Sequence, residues 1–301
     1  IDGNNILEVY ATVSALAKDL RKKPRPVILE CMTFRMRGHE EASGTKYVPQ
    51  ELFDTWQKKD PLVNFEKYLL DNKIISQEEV DTKRKSLKES IDNDVEIAFA
   101  EPDPVANSYQ ELSDVFCQHI PNEIQVTGES TEKRLVDAIS DGLKQAMVHH
   151  PELVIMGQDI AEYGGVFKIT EGFVDLFGKE RVRNTPICES AIVGAGLGLA
   201  IKKKKAVVVE MQFGDFVSCA FNQIVNNLAK NYYRWGQQAD VVVRMPTGAG
   251  VTAGPFHSQS TEAWFFHVPG LKIVYPSNPY DAKGLLAASI DDPNPVMFFE
   301  H

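Results

Sequence analysis

Apolar positions recur at helical spacing over residues 5–23, with Ile6, Val9, Val13, Leu16, Ala17 and Leu20 on one stripe, which predicts an amphipathic helix. "RPVILECMTFR" follows as a short apolar run after prolines, the form of a buried strand. Residues 38–50 are polar and contain Gly38, Gly44 and Pro49, so they read as a loop. Residues 50–100 read as charged helices broken near "WQKKDPL", and "EPDPVANS" as a turn-rich stop. The stretch 118–131 lacks periodicity and reads as a linker. A second unit opens near Ser130, where "STEKRLVDAISDGLKQAM" carries a helix-start signal and Leu135, Ile139 and Leu143 at helical spacing. Beyond it, apolar runs alternate with helical patterns. "ELVIMGQD", "AVVVEMQF", "DVVVRMP", "LKIVYPS" and "PVMFFE" read as strands, and "SAIVGAGLGLAI", "FVSCAFNQIVNNLAKNYYRW" and "PYDAKGLLAASI" as helices. This alternation predicts an α/β fold with parallel sheets flanked by helices. "KKKK" at 202–205 reads as an exposed turn.

Bulk composition narrows the function classes. With 301 residues, 43% hydrophobic and 25% charged, the chain has material for two domains with sizeable cores. A net charge of −10 argues against broad contact with nucleic acid. There is no uncharged apolar run long enough to span a membrane. Cys31, Cys117, Cys188 and Cys219 lie far apart and form no C-x-x-C pair, which fits free thiols in a reducing, cytoplasmic setting. The chain opens on "IDGNN" and closes on "MFFEH", and both ends read as cut from a longer protein.

Four segments hold candidate chemistry. In "TPICESAIVGAGLGLA" the glycines Gly194, Gly196 and Gly198 imitate a dinucleotide loop, but the spacing is G-x-G-x-G and lies inside a helix. Close helix packing is the better reading. Glu189, at the start of that helix, reads either as a carboxylate favoured by the helix dipole or as a ligand to a group in a crevice at the sheet's end. "RMRGHEE" places Arg35, Arg37 and His39 after a strand, suited to an acidic substrate or to a plain solvated loop. "PTGAGVTAGPFHSQSTEAWF" is a long irregular segment around His257. It contains no G-x-S-x-G elbow and no paired metal ligands. "EMQFGDF" ends a strand with Gln212, Phe213, Asp215 and Phe216, and its aromatics serve either as core or as the wall of a ring pocket.

Together these segments resemble one family: the thiamine-diphosphate-dependent decarboxylating component of 2-oxo acid dehydrogenase complexes. "IDGNNILEVY", "FRMRGHE" and "WQKKDPL" are similar to the C-terminal half of its alpha subunit. "MGQDIAEYGGVFKITEGF", "NTPICESAIVGAGLGLA", "EMQFGDF", "GPFHSQSTEAWF" and "VYPSNPYDAKGLL" are similar to the first domain of its beta subunit. The resemblance implies two thiamine-diphosphate-binding units on one fused chain, the first incomplete. Residues 1–117 are then the alpha-like diphosphate-binding part, 118–131 a linker, and 132–301 the beta-like pyrimidine-binding domain, without the beta C-terminal domain.

The resemblance also implies roles. Glu189 bonds the cofactor's aminopyrimidine nitrogen and promotes ylid formation. Gln212 and Phe216 line the pyrimidine pocket, Phe216 standing where some relatives have tyrosine. His39 and His257 handle substrate and transfer to the lipoyl group, and Arg35 belongs to the His39 loop. Glu40 stands where animal relatives carry a regulatory serine. Ser289, Asp292 and Asn294 match a structural potassium site of some relatives. The motif for diphosphate and magnesium, expected upstream of "IDGNN", lies outside this sequence, so the chain by itself is expected not to bind the cofactor fully. The expected reaction is oxidative decarboxylation of a 2-oxo acid, favoured as the branched-chain 2-oxoisovalerate type, with acyl transfer to the lipoyl group of an acyltransferase. Expected partners are that lipoyl domain and a second fused chain in a homodimer. Pyruvate or acetoin as substrate, a transketolase-like transfer to a sugar, and a non-catalytic fragment are the alternatives.

Overall fold

In the computed structural model of the chain, the structure describes residues 1–40, 42–121, 128–203 and 207–301. It divides into two compact units, Ile1–Pro104 and Val105–His301. The centre of the expected linker and the end of the lysine run fall outside the described residues.

The first unit is helical. Helix α1 (Ile6–Lys22) starts where Asn5 Oδ1 accepts the Leu7 and Glu8 N–H groups, relieving donors that an uncapped helix leaves unpaired. After α2 (Gln50–Gln57), α3 (Pro61–Asp71) is capped by Asp60 and opened by Pro61, whose fixed φ suits a first turn. Helix α4 (Gln77–Ala100) opens with a full capping box between Ser76 and Glu79. The strand expected around 26–35 does not form. Among the described residues that stretch makes a single parallel bridge, Met32 to Asp2, and Ile28 is 97% exposed. An apolar run becomes a buried strand only when neighbours supply ladder partners, and this unit supplies one bridge.

The second unit opens with α5 (Ser108–Asp114) and α6 (Leu135–His149). Helix α6 begins later than the start signal at Ser130 suggests, at a point where Arg134 gives no side-chain cap. A capping box needs a Glu or Gln three residues after the cap. Neither Ser130 nor Thr131 has one, because Lys133 and Arg134 stand there. The chain then runs through β1 (Val154–Gly157), α7 (Phe173–Phe177), β2 (Val182–Asn184), α8 (Glu189–Lys203) and β3 (Val207–Glu210). Strand β2 was not expected. Only Val182 of its three residues is buried, so it has no apolar run to announce it. The single helix expected over 216–235 is three pieces: a 3-10 stretch (Gly214–Ala220), a π-helical turn (Gln223–Leu228) and α9 (Ala229–Trp235). Strands β4 (Val241–Pro246) and β5 (Lys272–Val274), helix α10 (Pro279–Asp291) and β6 (Val296–Glu300) complete it.

All five strand pairings are parallel, in the order β2-β1-β3-β4-β6-β5. Alternate side chains feed two cores. Val207, Val209, Val241, Val243, Met245, Met297 and Phe299 face one, which α8 and α9 cover. Val208, Val242, Val296 and Phe298 face the other, which α6 and α10 cover. With both faces covered, the strands read as continuous apolar runs rather than alternating ones. Burying each such valine contributes about 1.5–3 kcal/mol. The glycines of α8 serve packing at one position: a Cβ on Gly196 would stand 3.3 Å from Val209 Cγ2, whereas one on Gly198 would meet nothing. Among the described residues, no helix is long and apolar enough to cross a membrane.

Candidate functional site

The chain leaves β1 to form β2 on one side and β3 on the other. Such a reversal opens a crevice beyond the carboxyl ends of the two diverging strands, here β1 and β3, and ligands of open α/β sheets bind there. Gln158 and Asp159 follow β1, and Gln212 follows β3. Gln212 Nε2 donates to Asp159 Oδ2 at 3.4 Å, bridging the two strand ends. The strands approach so closely that a Cβ on Gly157 would lie 2.8 Å from the Glu210 carbonyl oxygen.

Glu189 enters this crevice as the first residue of α8, where the unpaired N–H groups of the first turn favour negative charge. Its side chain is buried, and Oε1 accepts a hydrogen bond from Gln158 Nε2 at 3.0 Å. Gln158, itself only 7% exposed, thereby fixes the carboxylate's rotation. Replacing Gln158 with leucine removes that donor and leaves the buried carboxylate oxygen without its partner, at a cost of about 1–3 kcal/mol in stability, which a denaturant melt of the variant checks.

The loops after β3 and β4 form the aromatic side of the site. The Phe213 and Phe216 rings meet the His257 ring edge-to-face, with centroids 4.9 and 5.4 Å away and planes near perpendicular. Phe167, from the loop after β1, packs edge-on against Phe213 at 5.9 Å. Thus Glu189, Gln212, Phe216 and His257 all lie on the carboxyl-end loops of one sheet. Arg35 and His39 lie in the first unit, both exposed, on the loop whose start is anchored by Phe34 against Phe53 and Trp56.

Across β3, β4 and β6 lies a buried ion triad that the sequence pattern did not announce. Arg244 of β4 is fully buried and donates to Glu300 of β6 through Nε (2.6 Å) and Nη2 (2.8 Å), and to Glu210 of β3 through Nη1 (2.7 Å). Burial pushes the Glu300 carboxyl up from its ordinary pKa, and the Arg244 charge only partly offsets that. For Arg244 burial works downward, yet Glu300 and Glu210 together raise it, so it stays cationic. The triad joins β3, β4 and β6, three neighbouring strands, near their carboxyl ends. An arginine within an apolar run was its one available signal.

The potassium-like residues sit elsewhere, by the amino ends of β5 and β6, and their polar groups serve the protein. Ser289 Oγ donates to the Leu285 carbonyl at 2.7 Å. The Asn294 amide pairs with both backbone groups of Cys117, at 2.8 and 2.9 Å. Asp292 is ion-paired with Lys272 and also accepts from Asn294. Burial works against the Asp292 carboxylate, but Lys272 and Asn294 hold its pKa below the usual range. Among the described residues no three His, Cys, Asp or Glu side chains form a group able to hold a metal ion.

Residues 132–301 match the transketolase pyrimidine-binding domain, and residues 1–107 match the dehydrogenase E1 component. The beta subunit of 2-oxoisovalerate dehydrogenase from Bacillus subtilis (strain 168) is 48% identical over 168 residues, covering 55% of this chain and 51% of the relative. Beta subunit 2 of the mitochondrial 2-oxoisovalerate dehydrogenase of Arabidopsis thaliana is 47% identical over 178 residues, covering 58% and 49%. The chloroplastic pyruvate dehydrogenase E1 subunit beta-2 of Arabidopsis thaliana is 43% identical over 190 residues, covering 60% and 47%. The chain spans about half the length of these curated relatives. With its second unit matched almost throughout, the chain belongs to the transketolase pyrimidine-binding domain family, in the branch of thiamine-diphosphate-dependent 2-oxo acid dehydrogenase E1 components.

Proposed function

We propose that the protein containing this chain carries out oxidative decarboxylation of a branched-chain 2-oxo acid and passes the acyl group to a lipoyl group of an acyltransferase. The observation that carries this reading is the buried Glu189 carboxylate, held by Gln158 at the β1–β3 crevice. The pyrimidine half of thiamine diphosphate suits these residues: a fixed anionic acceptor for a ring nitrogen, a polar bridge from Gln212 to Asp159, and aromatic side chains that exclude water. When bound, thiamine diphosphate supplies the nucleophilic carbon and the electron sink that decarboxylation needs. Glu189 orients the ring and exchanges a proton with it. His257 and, from the alpha-like part, His39 donate or accept protons at the substrate oxygen and the lipoyl sulfur, and Arg35 meets the acid's charge. In balance, the C1–C2 bond of the 2-oxo acid breaks, carbon dioxide leaves, and the electron pair left on C2 reduces the lipoyl disulfide. One sulfur takes the acyl group and the other takes a proton.

In this reading residues 1–117 are alpha-like, 132–301 are beta-like, and two fused chains assemble as a homodimer. Branched-chain substrates are favoured because the 48% and 47% identical relatives are 2-oxoisovalerate dehydrogenase subunits, against 43% for the pyruvate enzyme subunit. The complete enzyme, given thiamine diphosphate, magnesium and a lipoylated domain, is expected to show at least about tenfold higher kcat/KM on 2-oxoisovalerate than on pyruvate, since an aliphatic pocket separates substrates that differ by two methyl groups by that much or more. The reverse order would move the substrate to pyruvate. Transfer to an aldose with none to the lipoyl group would make the protein transketolase-like.

A further inference from the structure

The loop that carries His257 returns to the protein at Gln259, and three hydrogen bonds meet at that residue. Its N–H donates to Asp215 Oδ1 at 3.1 Å. Its carbonyl accepts from Thr247 Oγ1 at 2.6 Å and from the Gly248 N–H at 2.9 Å. Thr247 and Gly248 open the same loop, so those two bonds close it on itself. The bond to Asp215 is different, because it ties the loop to another element, 44 residues earlier in the chain. Asp215 lies in the 3-10 stretch after β3, directly beside Phe213 and Phe216, whose rings flank His257.

We propose that Asp215 is a positioning residue for His257: through Gln259 it holds the histidine loop against the turn that bears the two phenylalanines, and so sets where the imidazole points. The proposal rests on the reading of His257 as a group that handles substrate. Asp215 is only 6% exposed, and among the described residues its Oδ2 accepts no hydrogen bond. A carboxylate buried on one backbone donor is costly. A residue that served packing alone would be better apolar. What the carboxylate adds is a charge-assisted bond to an N–H, about twice as strong as a neutral one, between the far end of the loop and the turn that bears Phe213 and Phe216.

The test uses the complete enzyme with Asp215→Ala and Asp215→Asn, each made in the parent and in a His257→Ala background. Asp215→Ala lowers kcat of the parent about ten- to a hundredfold with little change in substrate KM, as expected for a misplaced reacting group. Asp215→Asn recovers most of that loss, because its amide oxygen accepts the same N–H and its amino group replaces an oxygen that accepts none. In the His257→Ala background Asp215→Ala costs less than about twofold more, since residues acting as a unit are non-additive. Amide hydrogen exchange over 248–259 rises in Asp215→Ala and not in Asp215→Asn, while β3 and β4 stay protected. An equal fold loss in both backgrounds would show a general structural role and overturn the proposal. Unchanged exchange in the loop would overturn it too. Full turnover by His257→Ala alone would instead remove the catalytic reading of the histidine, with loop exchange still reporting on Asp215.

Discussion

Glu189→Gln lowers decarboxylation by the complete enzyme two to four orders of magnitude, the range for loss of a positioned proton-transfer group. The substitution is close to isosteric, and the amide oxygen still accepts from Gln158, so the bond at 3.0 Å and the packing at the start of α8 persist. What disappears is the charge and the site's ability to take and return a proton. The melting temperature is therefore expected to stay within a few degrees of the parent while turnover collapses. Single-turnover decarboxylation beside a thermal melt checks both halves, and near-parent turnover would defeat the assignment.

Arg244→Met has the largest expected effect on stability. It strands Glu210 and Glu300, each about 5% exposed, without their shared counter-ion. Breaking a buried ion group from one side costs about 3–5 kcal/mol. For a unit of this size that lowers the melting temperature by roughly 10 °C. The pH dependence gives a second check. Burial already raises the Glu300 pKa, and losing Arg244 raises it further. A carboxyl whose folded-state pKa is raised contributes stability at low pH that is lost as pH climbs through the folded value. The gap between variant and parent is therefore narrowest in acid and widens toward neutral pH. Replacing all three residues by apolar side chains recovers most of the loss, because no charge is then left buried. Thermal melts across pH, with the triple variant alongside, decide it.

These residues also show what the sequence makes legible. The parallel sheet reads directly from "AVVVEMQF" and "DVVVRMP", whose unbroken valines are what covering both faces requires. Glu189 stands where an apolar helix begins, but its part as a cofactor ligand is implied by the family resemblance and not by that position. Strand β2 is invisible, since Arg183 and Asn184 leave only Val182 to signal it. The 26–35 segment misleads in the opposite sense: its composition is that of a strand, but pairing depends on neighbours no local pattern records. The partners of Gln158, Asp215 and Gln259 are hidden for a related reason. Each acquires its part through a bond to a residue 31 or 44 positions away, and only the sheet order brings those partners together.

The strand order has a further consequence during synthesis. Strand β6 is the last of the six made, yet it lies between β4 and β5. As the chain emerges from the ribosome, β4 can pair with β3 at once, but its other edge stays open until residues 296–300 appear. During that interval one edge of a strand that ends up wholly buried is bare, and Arg244 lacks the bidentate partner that Glu300 will provide. Parallel pairings between distant segments form slowly and leave such edges prone to capture by other chains. Completion of the sheet and neutralisation of its buried arginine are thus one event, reached only when the final strand slides into place.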